Sequence, residues 1–216
     1  MASVVDICNM ALSHIGADAV VASIAPADGS VEAGYCARFY PLARREALED
    51  HPWTWSKTRT ALAPVTNPST VWTYAYALPS DCLSPKRVLQ LTALADFIVW
   101  PTNQVLTSDE LQYWSERGTA DYEVENGVLL THEPDAVLLY TRDITDTTKW
   151  TAQFTLCVSY LLAAYLAGPI IKGQPGVQAG AALRQVAAKL RGEAAVSDAV
   201  GSAERTDFVP SHMRGR

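Results

Sequence analysis

Hydrophobic positions along the chain fall into three zones with different periods. Over residues 3–16, Val4, Ile7, Cys8, Ala11, Leu12 and Ile15 recur at three- and four-residue spacings and stop at Gly16, which predicts an amphipathic helix with a glycine end. The segment IAPADGS that follows holds Pro26, Asp28, Gly29 and Ser30, a turn with an N-cap at its end. A second helix is predicted from about Val31 to Asp50. Its apolar side is read as Val31, Tyr35, Phe39, Leu42 and Leu48, and its wet side as Arg38, Arg44, Arg45, Glu46 and Glu49. His51-Pro52 ends it, because the residue before proline is pushed out of the helical region.

From Trp53 to about Thr145 the period shortens to that of strands. Five of the six tryptophans and six of the twelve prolines lie here, among short β-like runs at Trp72–Ala77, Arg87–Leu91, Phe97–Trp100, Gln104–Leu106, Asp121–Glu125, Val128–Leu130 and Ala136–Tyr140. Glu125-Asn126-Gly127 between two of them is the strongest hairpin signal, since Asn-Gly tolerates the positive φ values of a tight turn. The zone reads as a small antiparallel sheet with long loops.

Helical spacing returns at Thr147 through Trp150, Phe154, Cys157, Leu161, Ala164 and Tyr165. After the breaker GPIIKGQPG it resumes from Val177 to about Ala199. The last helix is alanine-rich, with Leu183, Val186 and Leu190 as its large apolar anchors, a thin profile that permits close approach of another helix. The remaining SAERTDFVPSHMRGR has no periodicity, and Phe208-Val209-Pro210 is an apolar plug in an otherwise polar extension, read as either disordered or docked on another surface. The chain thus reads as α+β, divided into 1–52 (two helices), 53–145 (β-rich insertion), 146–200 (two helices) and 201–216 (extended tail).

Length and composition narrow the function classes. With 216 residues, 49% hydrophobic and 19% charged, the chain has ordinary globular composition and can bury roughly 70% of its unfolded surface. Seventeen basic against 23 acidic residues give a net charge of -6, the wrong sign for a domain that grips nucleic acid by neutralising phosphates. The apolar stretch Phe154–Ile171 contains Thr155, Ser159, two tyrosines and Pro169 without a flanking basic pattern, and reads as a core helix rather than a membrane span. No basic segment precedes an apolar run at the start, so no secretory signal is expected. Cys8, Cys36, Cys82 and Cys157 match no zinc or redox spacing and read as free, mostly buried thiols.

Candidate chemistry is sparse. His14, His51, His132 and His212 are isolated, with no HExxH, CxxC or HxH spacing, so no metal is expected. The chain has no GxSxG, GxxxxGK[ST] or GxGxxG motif, and no cofactor is expected. A Cys36–His51 dyad is the only nucleophile pairing singled out. Loop carboxylates Asp109, Glu110, Glu123 and Glu125 could serve glycoside cleavage, which needs only an acid and a base or nucleophile at a suitable separation. Trp53, Trp55, Trp72 and Trp100 read first as packing residues and second as an aromatic subunit interface.

One set of residues carries a family resemblance. Asp6-Ile7-Cys8-Asn9-Met10-Ala11-Leu12-Ser13-His14-Ile15-Gly16, then Asp28-Gly29-Ser30 followed by Ala33, Cys36, Tyr40, Arg44, Leu48, His51-Pro52-Trp53 and Arg59, resembles the opening of the phage tail tubular protein A family, the head-to-tail adaptors of tailed bacteriophages. Trp72-Thr73-Tyr74-Ala75-Tyr76-Ala77-Leu78-Pro79-Ser80-Asp81-Cys82-Leu83 with Arg87-Val88 is similar to that family's Y-x-L-P-x-D-C-L segment. Ala136–Tyr140 before Asp143, Trp150 and Phe154 resembles the strand leading into its third helix. The matches run over about residues 6–171.

The resemblance implies a helical bundle with a β insertion that serves as a scaffold, and no enzymatic activity is expected. It further implies a ring of about twelve copies beneath the portal protein, closed like other symmetric assemblies. The ring sits in the virion neck after assembly in the host cytoplasm, and a downstream tail or nozzle protein attaches below. DNA passes through without sequence-specific binding, and no membrane is involved. Phe208, Val209, Pro210 and Met213 are the candidate portal-docking residues, and Trp53, Trp55, Trp72, Leu183, Val186 and Leu190 the candidate subunit contacts. An acidic ring would repel the DNA backbone and let it slide. The competing class is a small cell-wall glycan hydrolase working through the loop carboxylates.

Overall fold

The computed structural model describes residues 2–89 and 119–201, and they form a mixed α+β protein with four α-helices and two antiparallel sheets. The helices are α1 (Val4–His14), α2 (Val31–Glu49), α3 (Ala152–Ile171) and α4 (Gly173–Gly201). The strands are β1 (Lys57–Ala61), β2 (Tyr74–Ala77), β3 (Cys82–Leu89), β4 (Thr119–Ala120), β5 (Tyr122–Glu125), β6 (Val128–Thr131) and β7 (Val137–Arg142). They divide into two compact units, Met1–Trp55 with Ile144–Arg216, and Ser56–Asp143.

In the helical unit, caps set the helix starts. Ser3 and Asp6 form a reciprocal capping box on α1. Ser30 caps α2 by accepting from the Ala33 amide, and Thr151 caps α3 by accepting from Phe154. α3 has a mean hydropathy of 1.8 in its most apolar window, long and apolar enough to cross a membrane by length and composition. Here half of that window is buried inside the protein. Phe154, Cys157, Val158, Leu161, Leu162, Ala163, Leu166 and Ala167 are all buried, and α1, α2 and α4 each pack on it.

The break between α3 and α4 is shorter than the expected GPIIKGQPG interruption. α3 continues through Gly168 and Pro169 to Ile171, and the chain leaves the helical region at Lys172, φ 61, and Gly173, φ 63, where α4 begins. Pro169 lacks only the N–H that would reach back to Tyr165, near the end of the helix. Pro175 sits in the first turn of α4, where its missing N–H has no intrahelical acceptor to lose.

α2 also differs from the expectation. Its buried face is Ala33, Cys36, Tyr40, Ala43, Arg44, Ala47 and Leu48, whereas Val31 and Leu42 are 67% and 50% exposed. Of the predicted apolar side only Leu48 is buried, Tyr35 and Phe39 are half-buried, and Arg44, read as wet, is inside. Small residues win the inner face because they let the helix approach its neighbours closely.

The same logic orders α4. Gly176, Ala187 and Ala194 are its buried residues, with Gly180, Leu183 and Leu190 half-buried in the same three- and four-residue stripe. A Cβ at Gly176 would meet the Ala167 carbonyl oxygen at 2.8 Å, and one at Gly180 would meet that of Ala164 at 3.0 Å. Lower in the hairpin the Cys157 thiol donates to the Ala187 carbonyl at 3.5 Å.

The β unit has two sheets where one was expected, in the orders β1-β7-β3-β4 and β2-β6-β5. Their inner faces share a core of Leu62, Tyr76, Val88, Leu129, Ala136, Leu138 and Tyr140. The β5–β6 hairpin turns at Asn126 and Gly127, with φ 49 and 79, as the Asn-Gly pair predicts. Two strands, β1 and β4, were not anticipated. β1, Lys-Thr-Arg-Thr-Ala, is polar because it is an edge strand, where charge discourages pairing with other chains. β3 begins ahead of the expected Arg87 and runs through Pro85, tolerated because the register slips beside it and β4 pairs only with Val88 and Leu89. The expected strands Phe97–Trp100 and Gln104–Leu106 lie outside the described residues.

The α3–α4 seam generates a paired expectation. Gly176→Ala should destabilise the helical unit by about 1–3 kcal/mol, as a methyl forced against backbone does. Gly192→Ala, with nothing within 4 Å of the added Cβ, should stabilise it by about 1 kcal/mol through helix propensity. Chemical denaturation of the two variants checks both signs.

Candidate functional site

The residues that carry the family resemblance are mostly clamps. Asn9 uses its side-chain amide twice, donating to the Val21 carbonyl at 2.9 Å and accepting from the Val21 amide at 3.1 Å, which pins the loop after α1. Asp28 accepts from the amides of Ala22 at 2.7 Å and Ser30 at 2.9 Å and from the Ser30 hydroxyl at 2.6 Å. These bonds, the Ser30 hydroxyl foremost, hold its carboxyl well below the usual carboxylate range. In the β unit, Asp81 accepts from the Tyr140 hydroxyl at 3.0 Å and from Arg142 Nε at 2.7 Å, while its carbonyl takes the Asp143 amide. The L-P-S-D-C-L segment is thus the fastening of β3 to β7.

His51-Pro52-Trp53 forms the sharpest corner of the helical unit. Trp53 is fully buried and donates its indole N–H to the Ala47 carbonyl at 3.0 Å. Its ring meets Phe154 at 5.0 Å, and Phe154 in turn meets Trp55 at 4.9 Å and Trp150 at 5.0 Å, all edge-on. Asp198, near the end of α4, accepts from the Thr54 amide at 2.9 Å and hydroxyl at 2.5 Å and lies 3.4 Å from His51 Nε2. The indole N–H groups of Trp55 and Trp150 are buried with no acceptor among the described residues, an arrangement that costs about 1–3 kcal/mol per group.

A polar cluster joins α2, α3 and α4. The Tyr165 hydroxyl donates to Glu46 at 2.5 Å, Arg184 pairs with Glu46 at 3.2 Å, and the Arg184 guanidinium sits 4.8 Å above the Tyr165 ring. Arg191 pairs with Asp50 at 2.8 Å. On the other side of the unit, His14 stacks on Tyr160 and bonds Ser159, whose own hydroxyl donates to the Leu156 carbonyl. Burial pulls His14 below the ordinary histidine value.

The candidate subunit contacts separate into several kinds. Trp53 is a correction: fully buried inside its own unit, it has no surface to offer a neighbour. Trp55 is half-buried on Phe154, and Leu183 and Leu190 are half-buried in the stripe that holds the glycines and alanines of α4. Trp72, in the β unit, is half-buried, stacks on His132 at 4.7 Å and donates to Glu123 at 3.1 Å. Val186 is 41% exposed. Sequence reasoning missed the outward stripe of α2, where Val31 and Leu42 had been assigned to the core. Val177 and Val196 are further exposed apolar positions on α4. The tail residues Phe208, Val209, Pro210 and Met213 lie outside the described residues.

The Cys36–His51 dyad does not form. Cys36 lies on the buried face of α2 beside the buried thiol of Cys8. It is fifteen residues before His51, about 20 Å along a helix. Glu123 and Glu125 are exposed on β5, and Asp109 and Glu110 lie outside the described residues. Among the described residues no group of three or more His, Cys, Asp or Glu could hold a metal ion.

Stability should follow pH in two steps. The neutral form of His14 is favoured in the fold, so below about pH 6.5 the unfolded chain takes the proton first and stability falls. Asp28 is held ionised, so its contribution is present above the unfolded carboxylate value and declines from about pH 4 downward. In denaturant titrations across this range, His14→Gln should flatten the first descent and Asp28→Asn should reduce the second. No protein-family model matches the chain, and no curated protein matches it either.

Proposed function

We propose that this protein is a structural subunit of a tailed bacteriophage, a head-to-tail adaptor that binds the portal as a ring and forms part of the channel through which DNA leaves the head. In this reading the four helices are a bundle, the β unit is its insertion, and the tail with Phe208, Val209, Pro210 and Met213 reaches the portal. About twelve copies close the ring, as expected of heterologous contacts that close on themselves. A tail or nozzle protein attaches below.

The observation that carries the proposal is the second, outward apolar set on the helical unit. Val31 and Leu42 are exposed on α2, and Val177, Val186 and Val196 on α4, while both helices already bury a separate inner stripe. Exposed apolar residues on two different helices suit contacts in which one face of a copy meets another face of the next. The net charge of -6, multiplied round such a ring, suits passage of DNA without adhesion. The resembling motifs support the same reading indirectly, since Asn9, Ser30, Trp53 and Asp81 each hold a corner of the fold.

Mixing the purified protein with portal rings from the same phage and imaging the particles by electron microscopy tests the proposal. Extra density with the portal's rotational symmetry is the expected result, weakened by Leu42→Glu and lost when the chain is cut after residue 203. Absence of binding by the intact, folded protein sinks the adaptor reading. Retained binding by the shortened chain removes the tail from it.

A further inference from the structure

The chain holds four asparagines, Asn9, Asn67, Asn103 and Asn126. An asparagine loses its side-chain amide without an enzyme when the backbone nitrogen of the next residue, once deprotonated, attacks its Cγ. Glycine in the next position favours this attack most, because no Cβ crowds the nitrogen and the backbone turns freely. Only Asn126 is followed by glycine. Asn67 precedes Pro68, whose nitrogen has no proton to lose. Both ends of the Asn67 side chain are also held, donating to the Trp72 carbonyl at 2.7 Å and accepting from the Ser69 amide at 2.9 Å. Asn9 lies inside α1 with its amide committed to Val21. Asn103 precedes Gln104 and lies outside the described residues.

The fold puts no such restraint on Asn126. Asn126 and Gly127 are both exposed, and no hydrogen bond ties the Asn126 side chain to another described residue. They are the central pair of the β5–β6 turn, at φ 49 and 79. A two-residue turn with both φ values positive holds the Gly127 nitrogen away from the Asn126 side chain, so the hairpin must open before the two can react. β5 is the outer strand of its sheet, pairs among the described residues with β6 alone, and exposes Glu123, Val124 and Glu125. Edges with so few buried contacts open at small free-energy cost.

We infer that Asn126 is a spontaneous deamidation site of this protein, gated by opening of the β5–β6 hairpin. In the open hairpin the Gly127 nitrogen bonds to Asn126 Cγ, the Cγ–Nδ2 bond breaks, and ammonia leaves with the proton, giving a five-membered imide. Water then splits one of the two bonds from the imide carbonyls to the Gly127 nitrogen. Cleavage at the side-chain carbonyl yields aspartate. Cleavage at the backbone carbonyl yields isoaspartate, whose main chain runs through Cβ and Cγ and gains one carbon. Either product adds a negative charge beside Glu125, and the longer isoaspartate chain no longer fits a two-residue turn with Glu125 opposite Val128. The Gly127 carbonyl, which accepts from the Leu78 amide at 3.2 Å, is displaced with it.

Ageing the full-length protein in mildly alkaline buffer, folded in one arm and unfolded in guanidinium in the other, tests this. Peptide mapping by mass spectrometry, with electron-transfer fragmentation to separate aspartate from isoaspartate, gives the readout. In the folded arm both products should accumulate at position 126 ahead of every other asparagine, at a rate about tenfold or more below that of the unfolded chain. Earlier conversion of Asn9, Asn67 or Asn103, or no conversion of Asn126 in the folded arm, would overturn the site. Comparable rates in the two arms would overturn the gate. In the isoaspartate-bearing fraction, amide hydrogen exchange over Tyr122–Glu125 should be faster than in fresh protein, and unchanged exchange would overturn the loss of the turn.

Discussion

A helix as apolar as α3 needs cover from several neighbours, and that requirement shapes the helical unit. The buried residues of α3 face all directions, and the cover comes from α1 and α2, far earlier in the chain, and from α4 immediately after it. Only α4 can use a short connection, and it packs so closely that glycine is required where its backbone passes Ala164 and Ala167. The intervening β unit has to leave the helical chain and return to it. Its first and last strands, β1 and β7, pair antiparallel with Lys57 opposite Thr141, which brings its two ends side by side.

Around that constraint, the conserving forces are local and specific. Phe154 gathers three tryptophan rings at about the same distance, which converts the corner after α2 into part of the α3 core. Asp198 fastens the far end of α4 to the same corner through Thr54. The ion pairs from α4 to α2, Arg184 to Glu46 and Arg191 to Asp50, are partly exposed and contribute at most about 1 kcal/mol each. Apolar packing therefore sets the arrangement and the charges select its register.

The functional proposal rests on surface rather than on reactive groups. The residues on which the resemblance rests act as caps, clamps and fasteners, so they speak for the fold they hold. What a fold of this kind can do depends on the faces it leaves open, and those are the outward valines and leucine of α2 and α4. The Cys36–His51 pairing had only residue type in its favour, and the fold keeps the Cys36 thiol on the inner face of α2 beside Cys8.

Much of the local structure was legible because it is decided locally. Ser30 before a helical run, Asn126-Gly127 between strands and His51-Pro52 at a helix end act through their own backbone geometry and hydrogen bonds, which neighbours along the chain suffice to determine. The sequence by itself therefore determined the order of helices and most strands and, where a cap or turn acts locally, the positions of their ends. It could not determine which face of α2 turns inward. Val31, Tyr35, Phe39 and Leu42 are as apolar as the stripe that is buried, and only the presence of α1 and α3 favours Ala33, Cys36, Ala43 and Ala47, which are small enough for close packing. Nor could it place Trp53 wholly inside or carry β3 through Pro85, since both depend on partners distant in sequence, Phe154 and β7. Tertiary structure decided those cases because burial is a property of the assembled neighbours, whereas caps and turns are properties of the segment.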